Sequence, residues 1–387
     1  MKLIQWFKDH GFSNVQDGID QLKSELGIKI KEYPDIGLYV FNYCQIESPK
    51  TDPVVMECRG VILRDNFDIV CRPLERFFNL GEALNITSGF DITESVVYEK
   101  LDGSLCKVYH DGFSWQVATR GTAYAESENY TGEIFQDLMM KAFNCSGIEE
   151  FNYILNKSYI PEHYTLIFEY TSPNNRVVTP YKEDMMYLLA IVGNESGVDY
   201  TGTKLYNTIF ETLSNKLNIK LPKTFSFTSD SDMKKFVNSL DGLQEGVVAH
   251  DIKNNIRVKV KADQYVAVHR LRGDSIPTPR RIMGLVVTNE TEEYLAYFPE
   301  EINRFTPYIR EYETLNCLIL LAWDEVKHIQ DQKEFALAVK DKLFSFILFQ
   351  AKRDNADPLR ILSNLDINKK VKLFESYYTG SLYSLAA

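Results

Sequence analysis

Lys100-Leu101-Asp102-Gly103-Ser104 sets a primary amine directly before an acidic residue and a glycine, as in a lysine that attacks phosphorus or a carbonyl carbon. A free lysine titrates at roughly 10.4, so making it a nucleophile at neutral pH takes on the order of 4 kcal/mol of environmental bias. Two carboxylates, Glu169 and Glu245, stand on candidate strands, and Glu169 lies among Leu166, Ile167, Phe168 and Tyr170. A carboxylate in such a stretch is costly unless it is paired or bound to metal. Cations recur at Arg59, Arg72, Arg76, Arg120, Lys259 and Lys261. Carboxylates hold a divalent metal, often through its water shell, and cations neutralise a polyphosphate, so together they describe a nucleoside triphosphate site. A metal and several cations beside Lys100 are also expected to depress its pKa and so supply the bias.

These residues need strands to hold them. Val15, Ile19, Leu22 and Leu26 at helical spacing open the chain with one or two amphipathic helices. Strands are expected at Ile36–Cys44, at Val54–Leu63 with Glu57-Cys58-Arg59-Gly60, and at Ile69–Phe78 with Arg72 and Arg76. Val96–Lys100 leads into the lysine motif. Leu105–His110 and Phe113–Thr119 flank Asp111-Gly112, a hairpin signal in which both turn positions need positive φ. Tyr130, Ile134, Leu138 and Ala142 predict a helix over Glu126–Asn144. Strands return at Tyr164–Tyr170 and Met185–Val192, with helices at Lys204–Leu217 and Asp232–Leu240. Glu245–Val248 and Ile256–Lys261 then pair about Asn254-Asn255. Period two places Arg257, Lys259 and Lys261 on one face, which wants an anion.

Beyond Ser275-Ile276-Pro277-Thr278-Pro279, which reads as a linker, the chain is helical, so the expected division is residues 1–274 and 275–387. Helices are expected at Pro307–Gln330, Lys333–Lys352, Pro358–Asn364 and Asn368–Tyr377, with Asp331, Asp357 and Asp366 as caps. The Leu315–Trp323 stripe is read as bundle core. Lys352, Arg353, Arg360, Lys369, Lys370 and Lys372 either touch a polyanion or are ordinary solvated surface. The fold class is α+β: an antiparallel-sheet domain followed by an all-α domain.

Composition sets bounds. The chain has 387 residues, 44% hydrophobic and 25% charged, enough for two domains with a self-sufficient core. A formal charge of −11 argues against non-specific coating of nucleic acid but leaves room for a local basic groove. Six cysteines without paired or C-x-x-C spacing argue against structural zinc and disulfides and for a reducing cytosol. The six histidines match no metal-binding spacing. Neither a signal peptide nor a membrane span is expected.

Lys100-Leu101-Asp102-Gly103-Ser104, Phe168-Glu169-Tyr170, Glu245-Gly246-Val247-Val248 and Lys259-Val260-Lys261 follow the order and rough spacing of the covalent nucleotidyltransferases, the polynucleotide ligases and capping enzymes. Glu57-Cys58-Arg59-Gly60, Arg72-Pro73 and Glu75-Arg76-Phe77-Phe78-Asn79 resemble the phage T4 RNA ligase 1 family more particularly. The likeness covers roughly residues 36 to 270 and, weakly, the tail. It implies ATP-dependent sealing of RNA 5′-phosphate and 3′-hydroxyl ends through a lysyl-AMP on Lys100 and an RNA adenylate, with Mg²⁺ or Mn²⁺. It also implies contact of Glu169 with ribose or metal, metal-bound water on Glu245, neutralisation of the α-phosphate by Lys259 and Lys261, and a grip on the outer phosphates by Arg59 and Arg76.

Arginine stands at 76 and 120 where the family often has lysine, which keeps charge and changes geometry. No oligonucleotide-binding barrel is evident after Lys261, which favours an RNA ligase over DNA ligases and capping enzymes. The resemblance further implies repair of a nicked tRNA beside an end-healing polynucleotide kinase-phosphatase, in the host cell cytoplasm if phage-encoded, and a helical tail serving as an RNA-specificity module. The alternatives are an RNA guanylyltransferase using GTP and a non-catalytic RNA-binding protein on a ligase fold.

Overall fold

The computed structural model describes residues 1–129, 132–240, 243–273 and 277–385, with side chains described as far as residue 379. Its strands are β1 (Ile28–Tyr33), β2 (Leu38–Tyr43), β3 (Arg59–Arg64), β4 (Ile69–Cys71), β5 (Phe78–Asn79), β6 (Ser95–Lys100) and β7 (Ser104–His110). They continue with β8 (Trp115–Thr119), β9 (Tyr164–Thr171), β10 (Met185–Gly193), β11 (Ile219–Lys220), β12 (Thr224–Phe225), β13 (Gly246–Asp251) and β14 (Ile256–Lys261). Three sheets result, in the orders β1-β2-β3-β4, β11-β10-β9-β7-β8 and β12-β6-β13-β14-β5. Pairing is antiparallel except at the two-residue edges β11 on β10 and β5 on β14. The architecture is α+β.

The middle sheet shows why alternation matters. Cys106, Val108, Leu166, Phe168, Tyr170 and Leu188 point into a core shared with the helices Phe135–Phe143, Ile148–Asn156 and Lys204–Ser214. Leu105, Ile167 and Ala190 occupy the opposite face, in a small cluster with Leu74 and Leu189. Glu169 shares the parity of Ile167, so the pleat puts its carboxyl on the side away from the helical core. Leu3, Phe7, Val15, Ile19 and Leu22, from the helices Lys2–Asp9 and Val15–Leu26, cover the first sheet.

Several expected boundaries move, each for a local reason. The stretch from Val54 opens as a helix, Pro53–Glu57, because Asp52 accepts from the Val54 and Val55 amides and Pro53 takes the first helical position. Only from Arg59 does it become a strand. Ile69–Phe78 is not continuous either, since β4 ends at Cys71 and β5 begins at Phe78. The helix expected from Glu126 starts at Phe135, because Glu128 bridges Ile134 and Asn129 turns the chain onto Glu133. Tyr130 lies outside the described residues. In the β7–β8 hairpin only Gly112 takes positive φ (+98°), and Asp111 instead accepts from the Phe113 and Ser114 amides.

The chain separates into two compact units, Met1–His269 and Arg270–Ala387, dividing inside the helix Asp263–Arg272. Ser275 and Ile276 of the expected linker lie outside the described residues. Within the second unit, Ile302–Val326 is one helix that contains Pro307, so the proline does not start it. Lys333–Lys352 is two helices, Gln332–Val339 and Ser345–Asp354, and the break lets Phe335 meet Phe349 edge-on at 5.5 Å. Asp331, Asp357 and Asp366 each accept an amide of the helix they precede. Leu315 and Ile319 are buried while Leu318 and Leu321 are exposed, so the apolar stripe is only partly core. Lys352 donates to the Ile329 carbonyl and Arg353 pairs with Asp354. Among the described residues no helix is long and apolar enough to cross a membrane.

Candidate active site

Three residues stand in line across the third sheet: Gly246 on β13 pairs with Lys100 on β6 and with Lys261 on β14. Glu245 immediately precedes that line. Its Oε2 accepts from Lys100 Nζ at 2.7 Å and its Oε1 from Lys261 Nζ at 2.8 Å, with Glu245 itself buried. The close approach depends on the neighbouring glycine. Gly246 has φ +142°, and a Cβ there would sit 2.0 Å from the Val260 carbonyl.

The lysine motif is pinned on its other side by Asp102. Asp102 Oδ2 accepts from the Val178 and Thr179 amides, both at 2.7 Å, and Oδ1 from the Tyr265 hydroxyl at 2.6 Å. Asp102 thus ties the lysine motif to the Val178 and Thr179 backbone and to Tyr265. Gly103 follows because a Cβ would fall 2.2 Å from the Tyr170 carbonyl, and its amide donates to Glu169 Oε1 at 3.1 Å. Lys100, Glu169, Arg59, Phe77, Leu105 and Val248 line one cavity. A largely apolar slot whose lining also carries a lysine amine, a carboxylate and an arginine suits a nucleotide.

Carboxylates dominate the charge around Lys100. Burial pushes the Lys100 amine down, but Glu245, Glu169 and Asp102 hold it above the ordinary lysine value. The surrounding carboxylates therefore favour the ammonium form of Lys100. Burial raises Glu169 to about 7, with Lys100 opposing and Glu245 assisting the rise. Glu245 meets the same burial but is held below the usual carboxylate range by Lys100 and Lys261. Lys259 is lowered to about 8 by burial and then by Lys100, Lys261 and Arg59.

The sequence profile of the RNA ligase family matches residues 57–265, just over half of the chain and the whole of this constellation. The chain belongs to this family. It is 33% identical over 302 residues to a protein of Autographa californica nuclear polyhedrosis virus named as a bifunctional polynucleotide kinase/RNA ligase, covering 76% of this chain and 42% of that one. It is 25% identical to the RNA ligase of Rhodothermus phage RM378, over 87% of this chain and 90% of that one. The chain thus spans less than half of the viral relative's length. Among solved structures, an archaeal ATP-dependent RNA ligase overlaps 70% of this chain and 65% of its own at 12% identity, with a TM-score of 0.43, too loose to carry an argument.

The remaining cations of this RNA ligase family member gather on two aromatic rings. Arg59 and Lys259 lie over Phe77, at 5.3 and 5.8 Å from its centroid. Arg76 and Arg120 lie over Tyr43, at 4.4 and 5.5 Å. Arg76 does not line the Lys100 cavity. It lines the neighbouring cleft with Arg72 and Arg257, and its Nη1 is buried without a hydrogen-bond partner. Arg72 pairs with buried Glu57, whose other oxygen accepts the Leu3 amide, so both are structural. Arg257, expected to await an anion with Lys259 and Lys261, already holds Asp199.

Tyr43 and Tyr265 went unmarked in the sequence. Tyr43 ends an apolar strand run, and nothing local distinguishes it from core. Tyr265 lies four residues after Lys261, and only the fold turns it back onto Asp102. All six cysteines are unpaired, and among the described residues no group of three or more His, Cys, Asp or Glu gathers as metal ligands.

Proposed function

We propose that this protein is an ATP-dependent RNA ligase that joins a 5′-phosphate to a 3′-hydroxyl through adenylated intermediates. Lys100 gives up two protons to solvent and its Nζ forms a bond to the α-phosphorus, while Glu245 holds the amine in line. The bond from that phosphorus to the α–β bridging oxygen breaks, and pyrophosphate leaves. AMP then passes from Lys100 to an RNA 5′-phosphate, and the 3′-hydroxyl oxygen displaces AMP to form the phosphodiester. Lys259 and Lys261 neutralise the α-phosphate, and Arg59, Arg76 and Arg120 hold the outer phosphates.

The donor chemistry fits a divalent Mg²⁺ or Mn²⁺. Such ions commonly bind one or two carboxylates together with substrate phosphates. Glu169 and Glu245 are the protein oxygens that would hold it, Glu245 through water because both of its oxygens face lysines. When bound, the ion supplies charge neutralisation at the phosphate and tips Lys100 toward the free amine.

The observation that carries the reading is the shared carboxylate of Glu245 on Lys100 and Lys261 in a chain of the RNA ligase family. Residues 1–274 are the adenylation part and the helical remainder is proposed to select the RNA. The name of the viral relative joins a polynucleotide kinase to an RNA ligase, which supports a partnership here with an end-healing kinase-phosphatase. A nicked tRNA in a phage-infected host cytoplasm is the proposed setting, supported by the phage relative.

Incubation with labelled ATP or GTP and Mg²⁺ tests the reading. Label trapped on the protein from ATP, lost in Lys100→Ala, followed by sealing of 5′-phosphate RNA, is expected. Label from GTP alone would make it a guanylyltransferase. Label from neither, with RNA still bound, would make it a non-catalytic binder.

A further inference from the structure

Lys107 lies in the middle of β7 and is completely buried, yet among the described residues no carboxylate pairs with it. Its Nζ donates to the Gly60 carbonyl. A lysine held in the interior by one carbonyl is an expensive way to fill space, since an apolar side chain of that volume would avoid desolvating an amine. The surroundings give the reason. Lys107 shares the parity of Leu105, so it faces the cavity side of the sheet and not the helical core formed by Cys106 and Val108.

Gly60 is where two cation-bearing segments touch. It follows Arg59, which lines the Lys100 cavity, and it sits at φ +93° with the Arg120 carbonyl 2.5 Å from where a Cβ would be. Lys107 Nζ is 3.0 Å from the same point. A glycine at positive φ lets the two backbones meet but does nothing to fix its own peptide. The Lys107 bond to the Gly60 carbonyl fixes it, and with it the backbone from which Arg59 reaches toward the phosphates.

We propose that Lys107 is a positioning residue for Arg59 and Arg120, setting the grip on the phosphates that leave as pyrophosphate. The role rests on the proposed adenylation of Lys100. It concerns only the step that uses a triphosphate, because sealing of RNA that already carries AMP involves no pyrophosphate.

Lys107→Met keeps volume and removes the donor, while Lys107→Gln restores a donor without the charge. Lys107→Met is expected to raise the KM for ATP in Lys100 labelling about tenfold, with kcat less affected, because one buried hydrogen bond to the Arg59 segment is lost. Sealing of pre-adenylated RNA by the same variant should stay within about twofold of the parent, which also certifies its fold. Lys107→Gln should recover most of the KM. An unchanged KM, an equal fall in labelling and sealing, or no recovery with glutamine would each overturn the assignment. A parent protein that neither takes label from ATP nor seals pre-adenylated RNA would defeat the ligase reading itself.

Discussion

Lys100 Nζ and Glu245 Oε2 are 2.7 Å apart, and the carboxylate's second oxygen holds Lys261 at 2.8 Å. The carboxylate holds both amines in place and favours the charged form of Lys100. Replacing Glu245 with Gln leaves two partly buried ammonium groups facing a neutral amide. Unfolding by urea should show a loss of about 3 kcal/mol, the usual consequence of removing one member of a buried pair. The variant's Lys100 should also react with an amine-directed acylating reagent at lower pH than the parent's, read by mass spectrometry of the modified peptide. A midpoint of modification unchanged from the parent would refute the stated control of its charge.

Glu169 makes stability depend on pH. Its folded-state pKa is about 7 against an ordinary 4.5, so between those values the native state keeps a proton that the unfolded chain has released. The unfolded state then binds fewer protons, and stability falls as pH rises through this window. Glu169→Gln removes the titration. With chelator present, its urea midpoint should exceed the parent's at about pH 8 and approach it at about pH 5. A difference that does not change with pH would disprove the assignment.

Lys259 shows the opposite case, with function set against stability. Its pKa is lowered to about 8 from 10.5, so the unfolded chain holds the extra proton between those values and stability rises with pH across them. At neutral pH the native state bears the full penalty of charging a buried amine. Lys259→Met is therefore expected to be more stable than the parent at neutral pH in thermal unfolding, and slower in taking AMP from ATP. A variant both slower and less stable would mean that packing, not charge, dominates at this position.

Asp102 tests whether the motif's acid is structural. It gathers three donors, from Val178, Thr179 and Tyr265. Asp102→Ala should cost about 3 kcal/mol by leaving buried amides unmet, and Tyr265→Phe about 1 kcal/mol. Both are read from urea midpoints. Equal effects from the two substitutions would argue that the backbone amides contribute little.

Sequence was most legible where a residue's local pattern and its tertiary role agree. Alternation in Ile256–Lys261 places Lys259 and Lys261 together, and the observed β14 has the same bounds. It was least legible where a polar group outranked the apolar pattern. Asp52 and Pro53 made a helix of an expected strand, and Asn129 with Glu133 delayed a helix expected from Glu126.

The amino-acid sequence alone determined the chemistry available: the lysine motif, two carboxylates, a cationic strand and the family they mark. Covalent order and period-two geometry are local properties, and they survive without knowledge of the fold. Only the tertiary structure decided which charges meet. Arg257 spends its charge on Asp199, Arg76 turns to Tyr43 and a neighbouring cleft, and Lys107 is buried against the Gly60 carbonyl. Each depends on contacts between residues far apart in the chain, where burial raises the cost of an unmet charge and so selects its partner.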